Sequence, residues 1–251
     1  MGLNDEVVER FLADSEKRGA IFGTLLGDAT ITHIPPGKYG GEGKTYRASK
    51  CGPEGTTYLR VKHAADQKDL VLHKHEFMKE IAGKVFMAKP PADKPHWQDA
   101  YGFYTKKSTA WLKLFDLFYH DARITTSAKG RIQKFKRINR EILDQVTNRG
   151  LAWWVMDDGC YSYNSEGYGF FRMSTQGYTE EENELICAWL KDKYNVKASL
   201  NRDKCKGVKL STYNSFVIYI GAQEFETLKP IIDPYIIPAL KFKLGYSEQL
   251  V

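Results

Sequence analysis

The stretch Leu151-Ala152-Trp153-Trp154-Val155-Met156-Asp157-Asp158-Gly159 decides the fold: an apolar helix closed by acidic residues. The pattern has a second copy, Phe22-Gly23-Thr24-Leu25-Leu26-Gly27-Asp28. Aspartate at a helix C-terminus faces carbonyls of partial negative charge, which costs about 0.3–1 kcal/mol. A bound cation reverses that sign. Carboxylate and helix-end carbonyl oxygens together form a hard-oxygen donor set suited to Mg²⁺. Gly23 and Gly27 are four residues apart and share one helix face. Without side chains, they admit a second helix at short range. Packed side by side, the two helices bring Asp28 and Asp158 together at one end. A single Asp after a helix is ordinarily a turn or capping residue. Two of them at matching repeat positions point to a metal site.

Outward from each stretch the same order of elements unrolls. In the first half a helix spans Glu6 to about Leu26, and Ala29–Leu59 is rich in Gly, Thr and Tyr, with turns at Pro35-Pro36 and Gly40-Gly41. Strands are predicted at Tyr46–Lys50 and Thr56–Lys62, a helix at Ala65–Ile81, a strand at Tyr101–Thr105 and a helix at Trp111–Tyr119. In the second half the helix Leu151–Met156 leads to strands at Tyr161–Tyr163 and Tyr168–Met173. A helix follows from Thr179, an N-cap backed by Glu180, Glu181 and Glu182, to about Tyr194. Strands at Val208–Thr212 and Phe216–Ile220 precede a helix at Phe225–Ile232. Lys134-Phe135-Lys136 and Lys241-Phe242-Lys243 each follow the closing helix of their half. The first half carries nine extra residues before its K-F-K, including Thr125-Thr126-Ser127, read as a loop insertion. The fold class is α+β, helix–strand–strand–helix–strand–strand–helix twice. The first repeat occupies 1–130, a connection 131–150 and the second repeat 151–251.

Composition agrees with a packed, ordered chain. At 251 residues, 42% hydrophobic and 27% charged, a core is within reach. Lys plus Arg number 37 against 31 Asp plus Glu, a balance of +6 that permits a polyanionic partner without demanding one. No apolar run is long enough to span a membrane. Met1 to Glu6 lacks the basic and apolar regions of a signal peptide. Cys51, Cys160, Cys187 and Cys205 are too far apart for a C-x-x-C site. Reduced thiols inside the cell, in cytoplasm or an organelle such as the mitochondrion, are the expectation.

With these residues in view, Gly27-Asp28-Ala29 after Leu25-Leu26, and Leu151 through Gly159, resemble the two signature helices of the LAGLIDADG homing endonucleases. The resemblance is closest to the single-chain, intron-encoded members and covers about Ala20 to Leu244. The chain departs from the pattern at Ile21 and Phe22, at Gly27 before the Asp, at Trp153 for Gly and at Asp157 for Ala. The resemblance implies two αββαββα repeats related by a pseudo-two-fold axis, with antiparallel β-saddles for DNA. It implies that Asp28 and Asp158 hold divalent metal at the scissile phosphates, aided by the backbone carbonyls of Gly27 and Asp157. The ion would be Mg²⁺, replaceable by Mn²⁺, with Ca²⁺ binding without cleavage. Lys136 and Lys243 match the basic residues that flank the family's active centres, and Gln176 a polar residue that positions solvent. Lys62 is the best first-half counterpart of Gln176.

The strands carry basic residues in alternation: Lys44, Arg47 and Lys50 in or beside one strand pair, Arg60 and Lys62 in the next. Arg172, Lys204, Lys206 and Lys209 occupy the second half. Alternation places residues i and i+2 on one face, so a strand can project cations toward DNA while burying its other face. Trp153 and Trp154 are read as core. Gly37–Thr45 fails P-loop spacing, because Lys38 stands where the first Gly belongs. Asp28 with Glu42-x-Lys44 imitates a restriction-type nuclease pattern, but its second part falls in a Gly-rich loop. His73 and His75, two apart on a helix, diverge and are read as surface residues. Two functions remain. One is a site-specific double-strand DNA endonuclease acting as a monomer on a long, non-palindromic target. The alternative is a non-cutting binder on the same scaffold, an intron RNA maturase or a DNA-binding regulator. A pure binder has no use for two carboxylates beside phosphates, which favours the endonuclease.

Overall fold

The computed structural model describes residues 3–35, 55–90, 92, 96–120, 124–126, 132–202 and 216–246, with backbone alone for 124–126 and 132–134. The strands predicted at Tyr46–Lys50 and Val208–Thr212 lie outside these residues, as do Lys44, Arg47, Lys50, Lys204, Lys206 and Lys209. The chain forms two compact units. One comprises Met1–Arg18 and Asp28–Leu117, the other Gly19–Gly27 and Phe118–Val251.

The first unit opens with α1 (Leu3–Ala13) and contains the start of α2 (Ser15–Leu26). The single helix predicted from Glu6 to Leu26 is therefore broken. Asp14 Oδ1 accepts the backbone N–H groups of Glu16 at 2.9 Å and Lys17 at 3.0 Å, an N-cap that stops one helix and starts the next. These bonds, that from Lys17 foremost, hold the Asp14 carboxyl below its ordinary pKa. The unit continues through β1 (Thr30–Ile34), β2 (Thr56–Ala64), α3 (Lys68–Phe77), β3 (Phe86–Ala88), β4 (Ala100–Tyr104) and α4 (Ala110–Tyr119). The strands form an antiparallel sheet in the order β1-β2-β4-β3. Neither β1 nor β3 was anticipated. The helix predicted at Ala65–Ile81 is shorter, opening as a 3₁₀ turn over Ala65–Gln67 and ending at Phe77. Asp5 of α1 accepts from the Ser108 hydroxyl and the Thr109 amide, both at 2.8 Å, which ties α1 to the start of α4.

The second unit adds a short antiparallel pair, β5 (Ile124–Thr126) and β6 (Ile132–Lys134), then α5 (Arg140–Gln145). The insertion read as loop thus contains a hairpin, and a capped helix follows it, with Asn139 accepting from the Ile142 amide. Next come α6 (Asn148–Asp158), β7 (Gly159–Tyr163), β8 (Gly169–Met173), α7 (Glu180–Tyr194), β9 (Ala198–Arg202), β10 (Phe216–Gly221) and α8 (Ala222–Ile232). The 3₁₀ segments Asp233–Tyr235 and Pro238–Leu244 follow. The sheet order, β7-β8-β10-β9, repeats that of the first unit. Thr179 caps α7 as expected: its hydroxyl accepts from the Glu182 amide, while Glu182 accepts from the Thr179 amide. The mixed α+β architecture with two αββαββα repeats is therefore present. The predicted helix at Leu151–Met156 is longer at both ends, so Asp157 and Asp158 belong to its last turn.

The core of the second unit is built where the Gly19–Leu26 part of α2 meets α6. Every residue from Gly19 to Leu26 and from Gly150 to Asp157 is buried. A Cβ on Gly23 would lie 1.9 Å from the Gly150 carbonyl oxygen, and one on Gly150 would lie 2.2 Å from that of Gly19. The helices thus touch backbone to backbone at Gly19, Gly23 and Gly150. Trp153, which replaces the family's Gly, and Trp154 are both fully buried. Each such side chain removes roughly 150–250 Å² from water, an upper bound of about 4–6 kcal/mol of transfer free energy. At the far end a Cβ on Gly27 would lie 2.3 Å from Asp157 Oδ2. The two departures from the family pattern compensate: the larger residue at 157 fits because position 27 has no side chain.

Candidate active site

The end of α6 presents Asp157, buried, and Asp158, half-buried. Lys243, itself buried, comes from the segment Pro238–Leu244 and donates through Nζ to the carbonyl oxygens of Met156 and, at 3.2 Å, Asp157. Lys136 does the same at the end of α2, donating at 2.5 Å to the carbonyls of both Leu25 and Gly27. A cation at the negative end of a helix is favourable, and here each ammonium satisfies two terminal carbonyls. The lysines singled out by the K-F-K repeat therefore sit at the two helix ends, on the carbonyl oxygens of Gly27 and Asp157 that the sequence reading had named.

The turn between β8 and α7 joins this arrangement. The Ser174 amide donates to the Asp158 carbonyl at 2.9 Å, and the Tyr178 hydroxyl donates to the Leu26 carbonyl at 2.6 Å. Gln176 lies between them, half-buried. Burial, reinforced by Asp158, Glu182 and Tyr119, pushes the Tyr178 phenol well above its usual pKa. It stays a neutral donor across the working pH range. Tyr178 was not among the residues picked out from sequence.

Asp28 opens the second stretch of the first unit, and its side chain is about half exposed. Its Oδ2 lies 3.3 Å from Nδ1 of His63, which is buried on β2. The strand alternates, with Leu59, Val61 and His63 buried and Arg60 and Lys62 exposed. His63 is thus the β2 residue that reaches Asp28. The period-two rule held the signal, because residue 63 falls on the same face as the apolar 59 and 61.

On the open sheet faces, Arg60 stands between Thr30 and Tyr104 in register, and Arg172 between Cys160 and Tyr219. Aromatic rings share these faces. Phe86 stacks on Tyr104 at 4.9 Å, Tyr58 meets Tyr104 edge-on, and Phe170 stacks on Tyr219 at 4.9 Å. Aromatic rings thus stand beside the cations on both sheet faces. Among the described residues, no helix is long and apolar enough to cross a membrane.

Known proteins were compared with this architecture. The profile of the LAGLIDADG DNA endonuclease family matches residues 18–228. The cytochrome b mRNA maturase bI2 of Saccharomyces cerevisiae is 34% identical over 143 residues, 57% of this chain and 30% of that protein. A probable intron-encoded endonuclease 1 of Wickerhamomyces canadensis is 34% identical over 108 residues, 42% of this chain and 43% of that one. The chain thus spans less than half the length of these two relatives. In fold it is similar to the homing endonuclease I-WcaI bound to its DNA recognition sequence, with a TM-score of 0.69 and 21% identity over 98% of this chain and 96% of that one.

Proposed function

We propose, from the premise that this chain belongs to the LAGLIDADG DNA endonuclease family, that it cuts both strands of a specific DNA duplex with the help of divalent metal. One observation carries the reading. Each of two helix ends closes on an aspartate, Asp28 or Asp158, and has its terminal carbonyls held by a lysine, Lys136 or Lys243. Carboxylates placed where phosphates must approach repel DNA unless a cation lies between them.

The donor chemistry fits a hard cation. Asp28 and Asp158 offer carboxylate oxygens, and the Gly27 and Asp157 carbonyls each have two lone pairs, of which a lysine bond uses one. Mg²⁺ is the ion proposed, with Mn²⁺ as a substitute and Ca²⁺ binding without cleavage. Such an ion supplies Lewis-acid polarisation of the scissile phosphate. Lys136 and Lys243 keep positive charge near the charge that develops on that phosphate. His63 holds the Asp28 carboxylate in place, and Gln176 orients solvent.

The open faces of the two sheets read the duplex. Arg60, Lys62 and Arg172 supply cations there; Lys44, Arg47, Lys50, Lys204, Lys206 and Lys209 are proposed as further DNA contacts from the sequence alone. Tyr58, Phe86, Tyr104, Phe170 and Tyr219 offer rigid apolar contacts of the kind that meet thymine methyl groups. The repeats are assigned to 1–130 and 151–251, joined by 131–150. Because the two halves carry different contact residues, the target is long and non-palindromic and one chain binds it as a monomer. Affinity falls steeply with salt.

The test is incubation with a randomised duplex library and Mg²⁺, followed by sequencing of cut ends and light scattering of the complex. Recovery of one long, asymmetric consensus bound by a single chain is expected. Cut ends no more frequent than with an Asp28→Asn, Asp158→Asn double variant would refute the reading. Similarity to the yeast maturase favours intron RNA as a second partner. Splicing assistance that survives in the double variant would establish that role apart from cleavage.

A further inference from the structure

The last three carbonyls of the α2 terminus are all engaged by side chains. Lys136 takes those of Leu25 and Gly27, and the Tyr178 hydroxyl takes the one between them, Leu26, at 2.6 Å. Leu26 is two residues from Asp28. At the corresponding end of α6, Lys243 takes Met156 and Asp157, and backbone amides of Gly159 and Ser174 take Val155 and Asp158. The two ends are therefore held differently.

Tyr178 is itself firmly seated. Its amide donates to the Thr175 carbonyl at 3.1 Å. The fully buried Asn183 crosses beneath the turn, donating to the carbonyls of Thr179 at 2.8 Å and of Thr175 and Tyr178 at 3.4 Å. The other end of the turn is tied to the Asp158 carbonyl through the Ser174 amide. One rigid turn thus grips the end of α6 by backbone and the end of α2 by a phenol.

We infer that Tyr178 is a positioning residue for cleavage: from within the second repeat it fixes the terminus of α2, and with it the placement of Asp28. The catalytic part of the inference rests on the endonuclease reading above. Because the phenol holds the end of α2, next to Asp28, its loss slows first the strand cut that depends on Asp28.

The experiment compares Tyr178→Phe with Tyr194→Phe. The Tyr194 hydroxyl is also buried, at the far end of α7, without a protein hydrogen-bond partner among the described residues. Near-UV circular dichroism first establishes that both variants are folded. Three quantities are then measured: single-turnover rates for each strand of the selected target at saturating DNA and Mg²⁺, DNA affinity, and amide exchange over residues 26–29 in the free protein. Tyr178→Phe is expected to slow one strand cut by about 10- to 100-fold, the range for groups that orient metal ligands. DNA affinity should change by less than about twofold, since the phenol contacts no phosphate, and exchange over 26–29 should quicken. Tyr194→Phe should change none of these. Unaltered exchange over 26–29 in Tyr178→Phe overturns the inference, as do wild-type rates on both strands or an equal slowing matched by lost affinity. A wild-type protein that cuts no duplex removes the endonuclease reading instead, and the exchange comparison still decides whether the phenol holds the helix end.

Discussion

Replacing Gly23 by alanine tests the packing on which the architecture depends. In an exposed helix the change is favourable by about 1 kcal/mol, because alanine has the higher helix propensity. Here the new Cβ would stand 1.9, 2.2 and 2.4 Å from the carbonyl oxygen, carbonyl carbon and Cα of Gly150. All three are backbone atoms, so no side-chain rotation relieves the overlap. Ordinary contact begins near 3.4 Å, so α2 and α6 must part by about 1.5 Å at this point. Parting loosens the packing of Phe22, Leu25, Trp153 and Trp154, all buried along these helices. Overpacking of this kind costs typically about 1–3 kcal/mol and more where only backbone can yield, so a net loss of about 3 kcal/mol is expected. For a chain of this size that lowers Tm by roughly 6–12 °C. The assay is urea unfolding with a parallel thermal scan. Gly177→Ala is the control, since its Cβ would meet nothing within 4 Å. A Gly23→Ala protein as stable as the parent would show that the helices do not touch as described.

Asp28→Asn and Asp158→Asn should each abolish or greatly reduce double-strand cleavage while leaving target affinity nearly intact; normal Mg²⁺-dependent cutting by both would sink the metal assignment. Lys243→Met strips the buried carbonyls of Met156 and Asp157 of a donor and should cost about 1–3 kcal/mol of stability in a denaturant titration. Lys243→Met and Lys136→Met should also slow single-turnover cleavage more than they weaken binding; lost affinity with an unchanged rate would make these lysines plain phosphate contacts. Burial pushes the Cys187 thiol from 9.0 up to about 11, so at pH 8 its thiolate is roughly a hundredfold scarcer than that of an ordinary thiol. Iodoacetamide followed by peptide mapping should modify the exposed Cys160 well before Cys187, and equal rates would contradict the burial. The sign of the linkage follows: a raised thiol pKa leaves stability whole below pH 9 and erodes it as pH climbs toward 11.

The helix ends were legible because their signal is local. An apolar run that stops at Asp announces both the helix and the electrostatic oddity at its end, and Thr179 with Glu182 announces a cap within four residues. What escaped depends on partners distant in sequence. Glycine spacing in α2 showed that something packs closely there. It could not say that Gly150 is the partner, since that residue lies before the point where the apolar run of α6 begins. Short strands such as Phe86–Ala88 and Ala198–Arg202 carry too few residues for a period to emerge, and their neighbours in the sheet define them. Asp14 broke a helix whose apolar pattern continues across it, because a side chain bonding to nearby amides outcompetes the ladder. The partnership of His63 with Asp28 was half visible: alternation placed it on the buried face, and nothing in the strand named the carboxylate.

The seam between the compact units runs through α2, and this sets a timetable for the nascent chain. Gly19–Gly27 emerges early, yet it belongs with Phe118–Val251. Its contact Gly150 is made 123 residues after Gly27, which at ribosomal speeds of about 5–20 residues per second is roughly 6–25 s. Phe118, whose ring meets Phe22 at 5.5 Å, emerges within that interval, but the backbone contacts of Gly19 and Gly23 wait for Gly150. The first unit can form its sheet while the ribosome is still at work. The glycine face of α2 completes its packing once α6 is released.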